Sequence, residues 1–399
     1  MATTTTPEPV RPAAAKATIG PWGFGGFAIT SFGGPLALAG LIAPAVVADA
    51  GANAGIVTVA AAVVFGAPLA IWLDYSRTVH GSGGLYDYVR AAAGQRVALL
   101  QAAIWTFSYL LYVAYTTVQI VYDLLPSVLP GERQYQTALA LLIPALLAVV
   151  VIAGTRTWLI AAGLIGFGQL ALALILGGVT VAHLSPFVSG VSAHEPVDGL
   201  LKPIGQSSLF YICGSLPLFL GGEVARPAVT IRRGLLAAFG ATVFVVLLAV
   251  APLAGSPDLL SAPVPGVAVA ERFVGSGLGH AIGIGIAFST VGVILAEYVA
   301  LTRLARAIAG WRPRPVSVAI GVLMMVAAAI SLIDPGGFYT TLLRPSLVAL
   351  WLSQLIVFLV YPRFARQRGR SLPAAVTLAV IASALAGYGL YTTIVQPAS

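Results

Sequence analysis

The chain has 399 residues, of which 59% are hydrophobic and only 9% charged, and its mean hydropathy is +0.96. Soluble domains carry about a quarter charged residues, so this surface is too poor in charge to face water and its solvent is lipid. The net charge of +8 does not mark a nucleic-acid binder, because the basic residues sit in short loops between apolar segments rather than on one soluble face.

From the N-terminus, residues 1–18, rich in Thr, Pro and Ala, read as a disordered cytoplasmic tail. The first apolar segment is too long for a cleavable leader and continues as a span. A membrane helix needs about 20 mostly apolar residues, and the segments here are too uniformly apolar for barrel strands. About eleven spans follow in order: Ile19–Val47, Ile56–Ser76, Val97–Leu125, Thr137–Ala153, Thr157–His183, Gly205–Val224, Leu235–Leu253, Leu278–Ala300, Val316–Ile333, Phe338–Tyr361 and Ala374–Val395. Three connections look structured: a cytoplasmic helix over Leu85–Ala93, an outer linker over residues 185–204, and a short outer helix within Pro263–Val274. The fold class is an all-α polytopic membrane protein. With the N-terminus cytoplasmic, inner segments hold 17 of the 21 Lys and Arg residues, and outer segments only Arg133, Lys202, Arg272 and Arg344. That bias fixes an N-inside topology in the cell membrane, with an extracellular C-terminus. The single cysteine, Cys213, excludes an intramolecular disulfide, and no zinc spacing, phosphate loop or nucleophile motif is present. A metal, a cofactor and an enzymatic activity are therefore not expected.

Two spans are interrupted near mid-membrane. Span 1 contains Ser31-Phe32-Gly33-Gly34-Pro35, and span 6 contains Cys213-Gly214-Ser215-Leu216-Pro217. Proline removes a backbone donor and glycine eases departure from helical geometry. Span 6 lies five spans after span 1, so a five-helix repeat would enter the membrane from the opposite side. Matching breaks in two such halves point to a transporter built from inverted repeats: residues 19–184 and 205–361, followed by a basic loop and an eleventh helix over 362–399. Half-helix N-termini present N–H donors to a carboxylate, and half-helix C-termini present carbonyls to an ammonium group or metal cation. The alternative for each break is an ordinary kink.

At these residues the chain resembles the amino acid–polyamine–organocation superfamily of secondary transporters. The break in span 1, the segment Gly81-Ser82-Gly83-Gly84-Leu85-Tyr86-Asp87-Tyr88-Val89-Arg90 and the stretch Gly222-Glu223-Val224-Ala225-Arg226-Pro227 carry the likeness, which covers roughly residues 19–310. The resemblance implies a five-plus-five inverted repeat of the leucine-transporter type, alternating access, and proton-driven uptake or exchange of amino acids or amines. It places substrate contacts at Thr30, Ser31, Phe32, Gly33 and Gly34 and at Leu209, Phe210, Ile212, Cys213, Gly214 and Ser215. Within these, Gly33 and Gly34 face a carboxylate, while carbonyls near Thr30, Leu209 and Ile212 face an amine. It also sets span 3 beside the substrate, which singles out Tyr109 from the stripe Trp105, Tyr109, Tyr112 and Tyr115. Gln169 stands where some proton-coupled members carry a lysine in span 5. Ser289 and Thr290 stand where sodium-coupled relatives of the fold place cation-binding hydroxyls; the alternative is that both bond the preceding helical turn.

Intramembrane acids are costly and informative. Glu223 reads as an inner gate or ion pair with Arg226, then as a proton-coupling group. Glu297 reads as a membrane-edge pair or gate near Arg303, with a proton site as the alternative, and Asp74 as a partner of Arg77. The functional expectation is a secondary transporter for a small amino acid or amine. A neutral zwitterion is favoured over a polyamine because the core lacks an evident acid, and H+ is favoured over Na+ as the coupling ion. A sodium-coupled or exchange carrier of another small organic solute is the nearer alternative; a channel or membrane sensor is the alternative of another class.

Overall fold

A computed structural model describes residues 18–125, 135–184 and 197–395. Of the expected tail over residues 1–18, all but Thr18 lies outside them, as do Arg133 and most of the expected outer linker. Among the described residues, nine helices are long and apolar enough to cross a membrane, and the chain is a multi-pass membrane protein. The two remaining spans are special: Gln136–Ile152 is a short apolar helix, and span 6 is divided into Val197–Leu209 and a 3-10 helix Ile212–Leu220.

Several helices outrun the apolar segments that announce them. Span 7 is Pro227–Val250 and span 8 is Ser276–Ala309. Hydropathy marks the part of a helix inside hydrocarbon, whereas the exposed Arg232, Arg233 and Arg306 continue the same helices toward water on long snorkelling side chains. Proline in the first turn starts span 7, span 9 (Pro313–Ser331) and span 10 (Pro335–Gln367), where the missing N–H costs no helical bond. The expected linker is shorter than its 185–204 range, because helix already begins at Val197 and carries Pro203 inside it. The short helix expected on the cytoplasmic face spans Leu85–Ala93, and the one expected on the outer face spans Pro265–Phe273.

Span 1 packs against span 5 (Thr155–His183) and span 7, span 3 (Gln95–Gln119) against span 10, and span 10 against span 11 (Leu372–Val395). An aromatic cluster of Phe32, Phe65, Tyr211 and Phe239 fills the space where spans 1, 2, 6 and 7 meet, with ring centroids 5.1–5.7 Å apart. The outer flanks of the bundle expose Val63, Phe107, Leu164 and Val380, as a surface solvated by lipid does.

Candidate functional site

The first break is sharp. Helix Pro21–Ser31 stops, Gly33 and Gly34 take φ of 75° and 71°, and helix resumes at Pro35. Such φ values are open to glycine and unfavourable for other L-residues. Space imposes the same demand: a Cβ on Gly33 would lie 2.8 Å from the Phe210 carbonyl oxygen. The two broken segments therefore touch each other. The second break comes earlier than the Cys213–Pro217 motif places it. The α-helix ends at Leu209, Phe210 and Tyr211 form a turn, and the chain resumes as 3-10 helix. Proline at 217 and glycine at 214 bar a regular α-helix on the C-terminal side, and the tighter 3-10 coil accommodates them.

A cavity of about 510 Å³ opens from the end of the bundle carrying Arg344 and Thr393 and reaches down to Gly33, Phe210, Ile212 and Cys213. That volume falls in the range of small-molecule sites, roughly 300–1,000 Å³. Its walls are largely apolar and aromatic, with Tyr112, Tyr115, Tyr339 and Trp351 prominent, and among the described residues Arg344 is its one charged lining side chain. The guanidinium of Arg344 is tied to the Thr393 carbonyl at 3.0 Å.

The expected substrate residues divide. Gly33, Leu209, Phe210, Ile212 and Cys213 line the cavity. Thr30 donates its hydroxyl to the Ala162 carbonyl on span 5 (2.9 Å), and Ser31 donates to Phe27 of its own helix (2.7 Å). Phe32 is buried against Phe239 and against the Cα of Gly214, where a Cβ would run into its ring. Gly34 faces span 8 and span 5 rather than the cavity: a Cβ there would meet Ser289 and lie 3.3 Å from Gln169 Oε1. Ser215 donates to the Ile212 carbonyl and accepts from Gln354 Nε2 at 3.4 Å. Tyr109 is buried outside the cavity lining, with its side chain beside Cys213 and Ser215.

The expected coupling residues separate as well. Ser289 Oγ donates to Gln169 Oε1 and accepts from the Ala37 amide at 3.3 Å, so span 8, span 5 and the second half of span 1 are pinned together behind the break. Thr290 donates to Ile286 of its own helix (3.2 Å) and stands apart from that group. Glu223 does not pair with Arg226. It takes both Nε and Nη2 of Arg303 from span 8, at 3.1 and 3.2 Å, with both side chains buried. Arg226 instead sits in a left-handed turn ahead of Pro227, a geometry that directs the chain into span 7. The Arg303 guanidinium also lies 5.0 Å from the Trp158 ring. Around this pair the chain is cross-tied: Thr18 and Ile19 amides donate to the Glu223 carbonyl, and the Ala225 amide to Ile19. This clasp closes the end of the bundle opposite the cavity mouth.

Glu297 departs from its expected pairing near Arg303, since Glu223 holds that arginine; the acid is fully buried, and among the described residues both its carboxyl oxygens are unpartnered. Asp74 does meet Arg77 (3.7 Å), and also Arg370 (3.3 Å) and the Tyr361 hydroxyl (3.1 Å). The helix Leu85–Ala93 props the 3-10 segment from below, with Gly84 under the Phe219 ring and Gly81 against Gly221. Asp87 anchors that loop by accepting from the Gly83 amide (2.8 Å) and pairing with Arg90 (3.0 Å). Burial raises the Asp87 carboxyl above the ordinary aspartate range, against the opposing pull of Gly83 and Arg90.

The cavity wall from span 10 has no counterpart among the expected residues. Tyr339, Leu343, Leu347 and Trp351 recur every fourth residue and form one helical face, a periodicity visible in the sequence but common to many buried helices.

No family model matches this sequence, and no curated protein matches it. Among solved structures, the crystal structure of MhsT in complex with L-phenylalanine matches with a TM-score of 0.64, covering 95% of this chain and 99% of that one at 14% identity. The fold is the leucine-transporter type. In this fold, spans 1 and 6 are the two broken helices, and the cavity ends where they cross.

Proposed function

We propose that the chain is a secondary transporter that moves a small amino acid or related amine across the cell membrane by alternating access, as a proton-coupled member of the amino acid–polyamine–organocation superfamily. One observation carries the reading: two broken helices meet at the blind end of a cavity open on one side, while a buried ion pair seals the other side. With the N-terminus cytoplasmic, as the Lys and Arg distribution favours, the cavity faces outward and the Glu223–Arg303 clasp is the inner gate. MhsT, one of the structural matches, was solved with L-phenylalanine bound, and an apolar, aromatic-walled cavity here favours a neutral zwitterion with a hydrophobic side chain.

A proton is favoured over sodium because the two hydroxyls expected to hold a cation turn to different partners instead of converging. Ser289 is held between Gln169 and the Ala37 amide, and Thr290 turns to its own helix; a hard cation needs several free oxygen ligands. The test is a thermal-shift screen of the purified chain with the L-amino acids and simple amines. Counterflow of each labelled stabilising compound in proteoliposomes, with and without sodium, follows. Sodium-independent counterflow supports the reading. Conductance without counterflow would make the protein a channel, and counterflow only in sodium would overturn the proton assignment.

A further inference from the structure

The least expected group in the molecule is Glu297, in span 8 between the cavity floor and the inner clasp. It is fully buried, and neither carboxyl oxygen has a hydrogen-bond partner among the described residues. Leaving a carboxylate unpaired in such a place costs several kcal/mol, and intramembrane acids are retained where they serve transport.

The groups facing it come from three elements. Span 3 contributes Tyr109, Tyr112 and Tyr115, and span 6 contributes Cys213, all within electrostatic range. On its own helix Tyr298 is bound to the Ser317 carbonyl, and Arg303 is held by Glu223. No described basic side chain pairs with Glu297. The path back to the cavity is polar and aromatic. Tyr112, Tyr115 and Cys213 line the cavity. Tyr109 lies next to Tyr112, with ring centroids 6.2 Å apart, and beside Cys213 and Ser215. Gln354 closes this layer with its Nε2 on Ser215 and its Oε1 unpartnered.

We propose that Glu297 binds the coupling proton, taking it from the open cavity through the Tyr112–Tyr109 layer and releasing it toward the cytoplasm when the clasp opens. This rests on the proton-coupled reading above and names the group that performs it. The chemistry is one O–H bond formed at a carboxylate oxygen and the same bond broken on the other side. In the outward-open state the pocket holds the neutral acid, which needs no counter-charge. Arg303 lies six residues further along the helix, about 9 Å at 1.5 Å per residue, so opening the clasp brings water toward the carboxyl and lets the carboxylate form. Proton release is thereby tied to the gate rather than to the cargo site.

Two measurements on the full-length protein test this. In infrared difference spectra between acidic and alkaline buffer, the wild type shows a protonated-carboxyl band that titrates reversibly, shifts in Glu297→Asp and vanishes in Glu297→Gln. In proteoliposomes with a labelled mixture of the twenty L-amino acids, Glu297→Gln keeps counterflow but loses accumulation driven by an inward pH gradient, about tenfold per pH unit for one proton per cargo. A band that persists unchanged in Glu297→Gln overturns the proposal, as does undiminished pH-driven accumulation. If Glu297→Gln loses counterflow while keeping the wild-type band, the acid binds the cargo's ammonium group and the proposal falls. If the wild type itself shows no counterflow, the transporter reading fails on its own, and the infrared titration still decides whether Glu297 is the proton-binding group.

Discussion

Replacing Gly34 by alanine is the sharpest perturbation of the break in span 1. Gly34 sits at φ of 71°, and a Cβ would collide with the Ser289 hydroxyl while lying 3.2 Å from the Ser289 carbonyl oxygen. The left-handed conformation costs an alanine about 1–2 kcal/mol, and overpacking a filled site adds about 1–3 kcal/mol. Together these give about 2–5 kcal/mol, roughly 30-fold to several-thousand-fold in the unfolding equilibrium at 1.4 kcal/mol per decade. Thermal unfolding of the purified chain, followed by tryptophan fluorescence, reads the loss. The control is Gly168→Ala, where nothing lies within 4 Å of the added carbon. Adding Ser289→Ala removes the colliding oxygen but leaves the backbone strain, so the double variant recovers part of the loss, with a coupling of about 0.5–3 kcal/mol. Equal stability of Gly34→Ala and Gly168→Ala, or strict additivity with Ser289→Ala, would refute the close approach of the break to span 8.

At the inner clasp, Arg303→Ala strands a buried Glu223 carboxylate and costs about 3–5 kcal/mol of the closed arrangement. Removing both partners costs less than either single change, and a double variant no better than the singles would argue against a direct pair. At an exposed turn, hydrogen bonding to Arg272 lowers the Asp258 carboxyl below its ordinary value of 3.8. A depressed folded-state pKa contributes stability that is present above the unfolded value and lost as pH falls through the folded one. The protection factor of helix Pro265–Phe273, the intrinsic over the observed hydrogen-exchange rate at each pH, is therefore expected to fall below the ordinary aspartate pKa in the wild type and to stay level in Asp258→Asn. For Asp87 the shift is upward, so the loop it anchors is firmest in acid and loosens as pH rises through the raised value; protection factors across residues 81–93, corrected for the intrinsic exchange rate at each pH, check the sign.

The lipid-facing spans were legible because hydropathy alone reports them, and the break in span 1 was legible because Gly33-Gly34-Pro35 can do little else in a helix. Span 6 was located only to within a few residues. Its α-helix fails at Phe210–Tyr211, which carry no breaking signal of their own; the disruption comes from glycine and proline further on and from packing against Gly33. Partners across the fold were the least legible. Glu223 and Arg303 are 80 residues apart, so proximity in sequence favoured Arg226, whose left-handed backbone directs it into the next helix. The same bias assigned Arg303 to Glu297, and only the three-dimensional arrangement shows that acid to be without a partner among the described residues.

The central claim, a site between two broken helices reached from one side at a time, is tested most directly at the single cysteine. Cys213 lies at the cavity floor, so a membrane-impermeant thiol reagent applied from the cavity side is expected to label it in the wild type, with a transported compound slowing the reaction. The same reagent from the clasp side should reach it only when Arg303→Ala opens that end. Labelling from the clasp side in the wild type, or from both sides equally, would contradict the account.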